Sequence, residues 1–355
     1  MRSRQLKGLI LSGGKANRLR PFSYTGAKQL VPIANKPVLF YAIEQLVDAG
    51  VSDIGIVVGD MGHQIEAAVG DGSQFGARVT CISQSEPLGL AHAVLTGEKF
   101  IGHSPFVVVL GDNFLVGGIK KYVESFDEGC SAQILLKKVD DPRELGVAIV
   151  QHEQVTRLVE KPNEFVSDLA VTGVYMFDSD IFQAARAIEP SARGELEITD
   201  AIQNLLDRGK LVRAATVDGK WIDTGKFDDL LEANEVALES IERRIEGTFD
   251  ESSILNGPVV LETGSQIRHS VINGPAIIGR DTVVEDSTIG PSTSIHDRCV
   301  VRGVSLTRSI VMQDSTLEHC QPGFSDSIIG RFVHLRGGSA TYSVQLGDHS
   351  HGLLP

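Results

Sequence analysis

Cysteine is scarce and scattered in this chain of 355 residues: Cys81, Cys130, Cys299 and Cys320 are the only four. No two of them stand in a CxxC spacing. That excludes a zinc-ligand pattern and a dense disulfide framework, and leaves a reduced, cytoplasmic protein as the expectation. Long apolar runs are also missing. Nothing approaches the roughly 18 consecutive apolar residues of a membrane-crossing helix, so no membrane partner is expected. The opening MRSRQLKGLILSGG contains only the short run Leu9-Ile10-Leu11. A signal-peptide core needs about 7–15 apolar residues, so this segment reads as a first buried strand. Basic residues are outnumbered, 33 Lys+Arg against 46 Asp+Glu, for a net charge of −13. A general nucleic-acid binder shows a basic patch; this balance argues against one and leaves room for a single nucleotide in a local pocket.

What is present is ordinary globular composition, 42% hydrophobic and 22% charged, in a length that predicts two domains at roughly 100–200 residues each. Gly8–Leu11, Asp53–Val58, Arg78–Ser83 and Pro105–Leu110 read as short buried strands. Val38–Ala49, Gln64–Val69 and Leu90–Phe100 have helical spacing. Such alternation predicts an α/β architecture, a Rossmann-like and mostly parallel sheet with helices on both faces. Ligands in such sheets bind beyond the carboxyl ends of the strands, which directs attention to Ser12–Arg18, Gln84–Gly89 and Gly111–Asn113. Phe227–Glu246 reads as an amphipathic connecting helix. Beyond it Val271, Ile277, Val283, Ile289, Ile295 and Val301 recur every sixth residue, Val259 fits the same register, and Val311/Leu317 and Ile329/Leu335 keep the spacing after slips. A six-residue period predicts a hexapeptide-repeat parallel β-helix. The expected domains are 1–226, a connecting helix at 227–250, a β-helix at 251–340 and a loosely ordered polar tail at 341–355.

The polar motifs fall in the first domain. Residues 11–21 read LSGGKANRLRP: Gly13-Gly14 followed by Lys15, Arg18 and Arg20 is phosphate chemistry, since glycines let backbone N–H groups approach and arginine offers a planar fork. It is not a Walker A loop, because no GK[ST] follows four variable residues. Lys28 sits in the stiffened segment GAKQLVPIANKP. Asp112 in LGDN follows a buried strand, where a carboxylate suits Mg²⁺, and Asp223 in WIDTG is a second candidate carboxylate. VEKP and RGELEITD are the remaining dense polar clusters. Taken singly, each has the bland reading of a turn or a solvated charge.

Together, LSGGxxxRLRP, AKQLVPIANKP, SQSEPLGLAHA, LGDN, VEKP, RGELEITD and WIDTG resemble the sugar-1-phosphate nucleotidyltransferases in order and spacing. The likeness is greatest to glucose-1-phosphate thymidylyltransferases of the long form, which carry a C-terminal left-handed β-helix. The resemblance implies the reaction of dTTP with α-D-glucose 1-phosphate, Mg²⁺ as cofactor, and a homo-oligomer. It implies that Gly13 and Gly14 cradle the triphosphate, that Arg18 and Lys28 act at the reacting phosphates, and that Gln84 and the Gly89 backbone read the base. It implies Asp112 and Asp223 as metal ligands and Lys161 on the sugar phosphate. Glu160, Glu195 and the Gly146 and Val171 backbones are then expected to read sugar hydroxyls.

The chain departs from the family loop GGxGTR at Ala16 and Asn17, which bears on rate and nucleotide preference, and Leu145 replaces a common aromatic. Alternatives are UTP or another sugar 1-phosphate as substrate, an added acyltransferase activity with His269, His296, His319 or His334 as base, and a catalytically weak nucleotide-sugar sensor. A count of about four coils from Val259 to Leu335 disfavours the acyltransferase and favours an oligomerisation and regulatory role for the β-helix. Retention of Asp112, Lys161 and Asp223 disfavours the sensor. His349 and His351 read as part of the loose tail rather than a metal site.

Overall fold

The computed structural model describes residues 6–14, 17–127, 129–152, 154–338 and 340–354. The chain divides into two compact units. One takes the chain up to Lys15 together with Leu39–Trp221, the other Ala16–Val38 together with Ile222–Pro355.

The first unit is built on a nine-stranded sheet. Its strands are β1 (Lys7–Ser12), β2 (Asp53–Val58), β3 (Arg78–Ser83), β4 (Phe106–Leu110), β5 (Ala132–Lys138), β6 (Gly146–Gln151), β7 (Gln154–Glu160), β8 (Leu169–Phe177) and β9 (Val212–Thr216). They lie in the order β3-β2-β1-β4-β8-β5-β9-β7-β6. β3, β2, β1 and β4 are parallel neighbours, as apolar strands alternating with helices require. Beyond β4 the sheet is mixed: β8 is antiparallel to both β4 and β5, β9 is parallel to β5, and β7 is antiparallel to β9 and β6. The parallel half therefore carries the loops after β1, β3 and β4, and the antiparallel half carries Gly146, Glu160 and Val171. β8 has an irregular register between Val171 and Tyr175, a bulge that lets its first residues reach β6 through Ala170 and Val147. Leu9, Val108, Ile134, Tyr175, Phe177 and Ile202 belong to the core that joins sheet and helices. The helix expected over Leu90–Phe100 is two, Leu90–Thr96 and Glu98–Ile101, parted at Gly97. Among the described residues no helix is long and apolar enough to cross a membrane.

In the second unit, the helix expected over Phe227–Glu246 ends at Glu239. The chain re-enters as strand Arg244–Ile245, parallel to Val259–Leu261, because Ile245 packs on the β-helix core and that burial outweighs helical propensity. From there the chain winds through three all-parallel sheets of seven, seven and six strands, a left-handed β-helix. Partner residues on successive rungs stand 16–18 positions apart. A coil of that length is spaced unevenly by fives and sixes, so a strict six-residue register drifts. It finds the inward residue at Val259, Ile289, Ile295, Val301, Val311, Leu317, Ile329 and Leu335, all in the buried core. It is one place early at Val271, Ile277 and Val283. Ile272, Ile278 and Val284 point inward instead, and Ile277 packs outward with Leu238 and Val260.

Two further expectations are corrected. The coils number more than four, because rungs at Arg244–Ile245, Thr248–Phe249 and Ile254–Asn256 precede Val259 and others follow Leu335. The segment set aside as a loose tail forms those final rungs, Thr341–Tyr342, Gln345–Leu346 and His351–Leu354. Tyr342, Leu346 and Leu354 pack on the core, so backbone pairing and three apolar contacts suffice despite polar composition. Buried hydroxyls finish one line of corners. Ser253 Oγ accepts the N–H of Ser270, Ser270 Oγ that of Ser287, and Ser287 Oγ that of Val304, at 3.1–3.2 Å. These serines answer the rule that a buried polar group must be hydrogen-bonded.

Candidate active site

Gly13 and Gly14 follow β1, as expected, while Lys15 and Ala16 and the side chain of Asn17 lie outside the described residues. Gly13 has a neighbour that explains its lack of a side chain: a Cβ there would overlap Gln84 Oε1. Gln84 follows β3 and is buried, its backbone N–H donating to the Val58 carbonyl. Its Nε2 lies 2.8 Å from His92 Nδ1. An amide nitrogen only donates, so this contact makes Nδ1 the acceptor and orients the amide. Gly89, with φ of 104°, leads into the helix that carries His92. The Leu88 carbonyl accepts the N–H of Leu196, and Leu196 returns its carbonyl to the N–H of Ala91, at 2.8 and 3.0 Å. This exchange ties the Gly89 loop to the RGELEITD segment.

On the antiparallel half, Gly146 opens β6 directly opposite Glu160, the last residue of β7. A Cβ at Gly146 would lie 2.7 Å from Thr199 Cγ2 and 3.0 Å from Glu160 Oε2, so only glycine fits between them. Glu160 Oε2 accepts from Thr199 Oγ1 at 3.0 Å, and Glu160 Oε1 accepts from Arg193 Nη2 at 2.9 Å. The same nitrogen donates to Glu197 Oε1 at 2.8 Å, which also accepts from Ser191 Oγ at 2.7 Å. Burial raises the Glu160 carboxyl above its ordinary range, and the nearby charge of Glu197 adds to the effect. Burial and then Glu197 raise Asp200 likewise. Val171 is buried on β8. Lys161 stands in the left-handed region at φ of 41°, its N–H held by the Leu145 carbonyl at 3.1 Å.

Asp112 follows β4 and is buried. Asn113 Nδ2 donates to Asp112 Oδ1 at 3.3 Å, and Asn113 Oδ1 accepts from the indole of Trp221. Thus the first residue of WIDTG orients the carboxylate of LGDN. A buried carboxylate at a strand end suits a hard oxygen-seeking cation that takes its other ligands from water and phosphate.

The first unit therefore gathers Gln84 against Gly13, and Gly146, Glu160 and Thr199 around one carboxylate. Glu195 stands at the margin of that cluster, 3.8 Å from Arg193; Glu197 is the buried acid next to Glu160. Arg193, Glu197, Thr199, His92 and Trp221 were not singled out from sequence, although the polar density of RGELEITD was the available signal for three of them. Arg18, Lys28 and Asp223 belong to the second unit. There Arg18 is exposed, and Lys28 opens a short turn of 3-10 helix, Lys28–Leu30. The histidines considered as acyl-transfer bases are corner or surface residues: His269 and His319 adopt positive φ, His296 Nδ1 accepts the Asp297 N–H at 2.7 Å, and His334 stacks on His351.

Residues 7–240 match the nucleotidyl transferase family. The chain belongs to this family. The transferase is 47% identical to the glucose-1-phosphate thymidylyltransferase of Streptomyces antibioticus over 351 residues, covering 97% of this chain and 98% of the relative. It is 46% identical to that of Streptomyces griseus, covering 98% of this chain and 99% of the relative. A solved Bacillus anthracis structure, assigned as a glucose-1-phosphate thymidylyltransferase and holding a sucrose, aligns with a TM-score of 0.62 at 38% identity. That alignment covers 65% of this chain and 95% of the other.

Proposed function

We propose that this transferase moves a deoxythymidylyl group from dTTP to α-D-glucose 1-phosphate, giving dTDP-glucose and pyrophosphate. The observation that carries the reading is 47% identity to a glucose-1-phosphate thymidylyltransferase across 97% of the chain, a span that takes in both the sheet and the β-helix. A phosphate oxygen of the sugar phosphate forms the new bond to the α-phosphorus. The bond between the α-phosphorus and the bridging oxygen breaks, and pyrophosphate leaves with that oxygen. Such a displacement needs positioning and charge neutralisation more than a covalent intermediate.

In this reading Gln84 presents Oε1 and its remaining amide hydrogen to N3–H and O4 of the pyrimidine, beside the Gly89 backbone. The Gly13 and Gly14 N–H groups and Arg18 hold the triphosphate, and Arg18 stabilises the departing pyrophosphate. Lys28 faces the reacting phosphates, and Lys161 holds the sugar phosphate. Glu160 and Glu195, with the Gly146 and Val171 backbones, accept or donate to sugar hydroxyls. Glu160 has a second lone pair on each oxygen for this purpose after meeting Arg193 and Thr199. Enzymes of this chemistry use a divalent ion; we assign Mg²⁺, which Asp112 and Asp223 would hold and which supplies charge screening between two anionic reactants when bound. We place the enzyme in the cytoplasm as a homo-oligomer, a reading supported by four free thiols and by the family likeness.

The test is pyrophosphate release with Mg²⁺, offering dTTP, UTP, GTP, CTP and ATP against glucose 1-phosphate. Preferred turnover of dTTP is expected. Turnover of UTP alone would keep the mechanism and overturn the base assignment, since uracil shares the edge that Gln84 reads.

A further inference from the structure

The segment that carries Lys28 belongs to the same compact unit as the β-helix, and four separate contacts hold it there. Pro32–Ile33 and Lys36–Pro37 pair as a tight hairpin around Ala34 and Asn35, both in the left-handed region at φ of 46° and 60°. Alanine has no intrinsic preference for that conformation, so its surroundings must impose it. They do so through Asn234, a fully buried residue of the helix Phe227–Glu239. Asn234 Oδ1 accepts the Ala34 N–H at 2.8 Å and Ser294 Oγ–H at 2.7 Å, while its Nδ2 donates to the Ser292 carbonyl at 3.1 Å. Asn35 Nδ2 donates to the Ile295 carbonyl on the same β-helix rung at 2.8 Å.

The other end of the segment is held as well. Phe22 is buried, edge-on to Phe227 with ring centroids 5.6 Å apart. Thr25 Oγ1 donates to Asp348 Oδ2 at 2.9 Å, and Asp348 Oδ1 accepts the Arg331 N–H at 2.8 Å. Lys28 lies between these two sets of anchors. Its turn is closed by the Val31 N–H on the Lys28 carbonyl, and the hairpin by the Val38 N–H on the Val31 carbonyl.

We infer that the β-helix is the mounting of the Lys28 segment, with Asn234 and Asn35 as positioning residues that set where the Lys28 ammonium sits. The inference rests on the role proposed above for Lys28. It gives the C-terminal repeats a part in the reaction of this same chain, independent of any oligomer they form. A lysine acting on a phosphate at fixed distance tolerates little displacement: a shift of about 1 Å costs up to about a hundredfold in rate. Loosening the hairpin therefore reaches catalysis without removing a group that touches substrate.

The experiment uses the full-length enzyme and four variants: Lys28→Ala, Asn35→Gly, Asn234→Ala and Lys28→Ala/Asn35→Gly. Asn35→Gly keeps a residue at ease with positive φ and removes only the bond to Ile295, so it serves if Asn234→Ala fails to fold. Expected are a loss of about a hundredfold or more in kcat/KM for Lys28→Ala and of about tenfold for each anchor variant, with the Asn35→Gly melting temperature within a few degrees of the parent. In the Lys28→Ala background Asn35→Gly should cost nothing further, the non-additivity of residues acting as one unit. Anchor variants within twofold of the parent, beside a crippled Lys28→Ala, would overturn the mounting alone. An equal tenfold loss from Asn35→Gly in both backgrounds would overturn it too, since the anchor would then act elsewhere. A Lys28→Ala enzyme within twofold of the parent would remove the assigned role of Lys28 and the inference with it.

Discussion

Positive backbone φ carries different meanings in the two units. In the unit of the nine-stranded sheet, the described non-glycine residues with this geometry are His152, in the turn between β6 and β7, and Lys161, directly after Glu160. In the β-helix it recurs from His269 and Asp281 through Asp314 and Asp326 to His349. A repeated corner spreads its strain over a stack in which each rung pairs with the next. A lone outlier needs its own surroundings to hold it, and at Lys161 the Leu145 carbonyl does so. An unusual dihedral therefore points to function only against the background of its own fold. Buried polar groups follow the same division. Serine hydroxyls in the β-helix accept the N–H of the next rung, whereas Glu160 and Glu197 share one arginine and retain lone pairs.

The widest gap between the regions should appear with Asp112→Asn. It should lower kcat by about a thousandfold, the several kcal/mol expected of a metal-held phosphate site, and leave the thermal midpoint little changed. An active Asp112→Asn enzyme would sink the assignment of that carboxylate. Leu317→Ala, in the β-helix core, is expected to do the reverse, costing about 2–5 kcal/mol in denaturant unfolding. A cost below 1 kcal/mol would show that the coils collapse around the gap.

Glu160→Gln should raise KM for the sugar phosphate about 10–100-fold, the ~1–3 kcal/mol of a charged hydrogen bond lost, with KM for the nucleotide unmoved. The pH behaviour separates the regions further. Glu160 is raised by burial, so as pH falls it protonates earlier than an ordinary glutamate, and sugar-phosphate kcat/KM should fall on its acid side above pH ~4.3. By the same shift, Glu160 costs folding stability as pH rises through its raised value. Asp250, at the start of the β-helix, is held down to about 2, chiefly by the Ser253 hydroxyl. Its stabilisation is present above the unfolded value of ~3.9 and is lost as pH falls toward 2. Acid should thus silence the enzyme before it loosens the β-helix, as activity and circular dichroism followed on one sample would report. Loss of both signals at a single pH would contradict this order. The smallest effect is expected from His92→Phe, which removes the acceptor for Gln84 Nε2. About fivefold in nucleotide KM follows from one hydrogen bond of ~1 kcal/mol, with KM for the sugar phosphate as the internal control.

Much of the architecture was legible because it rests on local pattern. β2 and β3 match their expected bounds residue for residue: β2 is buried along its whole length, whereas β3 buries Val79 between exposed Arg78 and Thr80. The six-residue period disclosed the β-helix but misplaced Val271 and Val283 by one, because coils of sixteen or seventeen residues fall short of three full sixes. The segment after Tyr342 was misjudged because its rungs depend on the preceding coil for their hydrogen bonds, a dependence that composition does not display.

By itself the sequence determined the α/β sheet, the repeat and the motifs that bear Gly13, Gln84, Asp112, Glu160 and Asp223, because glycine, carboxylate and apolar spacing are properties of neighbours along the chain. Only tertiary structure decided that Glu197 shares an arginine with Glu160, that His92 orients Gln84, and that the Lys28 hairpin is held by Asn234 two hundred residues away. Hydrogen bonds between distant segments depend on where the fold brings donor and acceptor together, and that placement is set by the packing of whole elements rather than by any local run of residues.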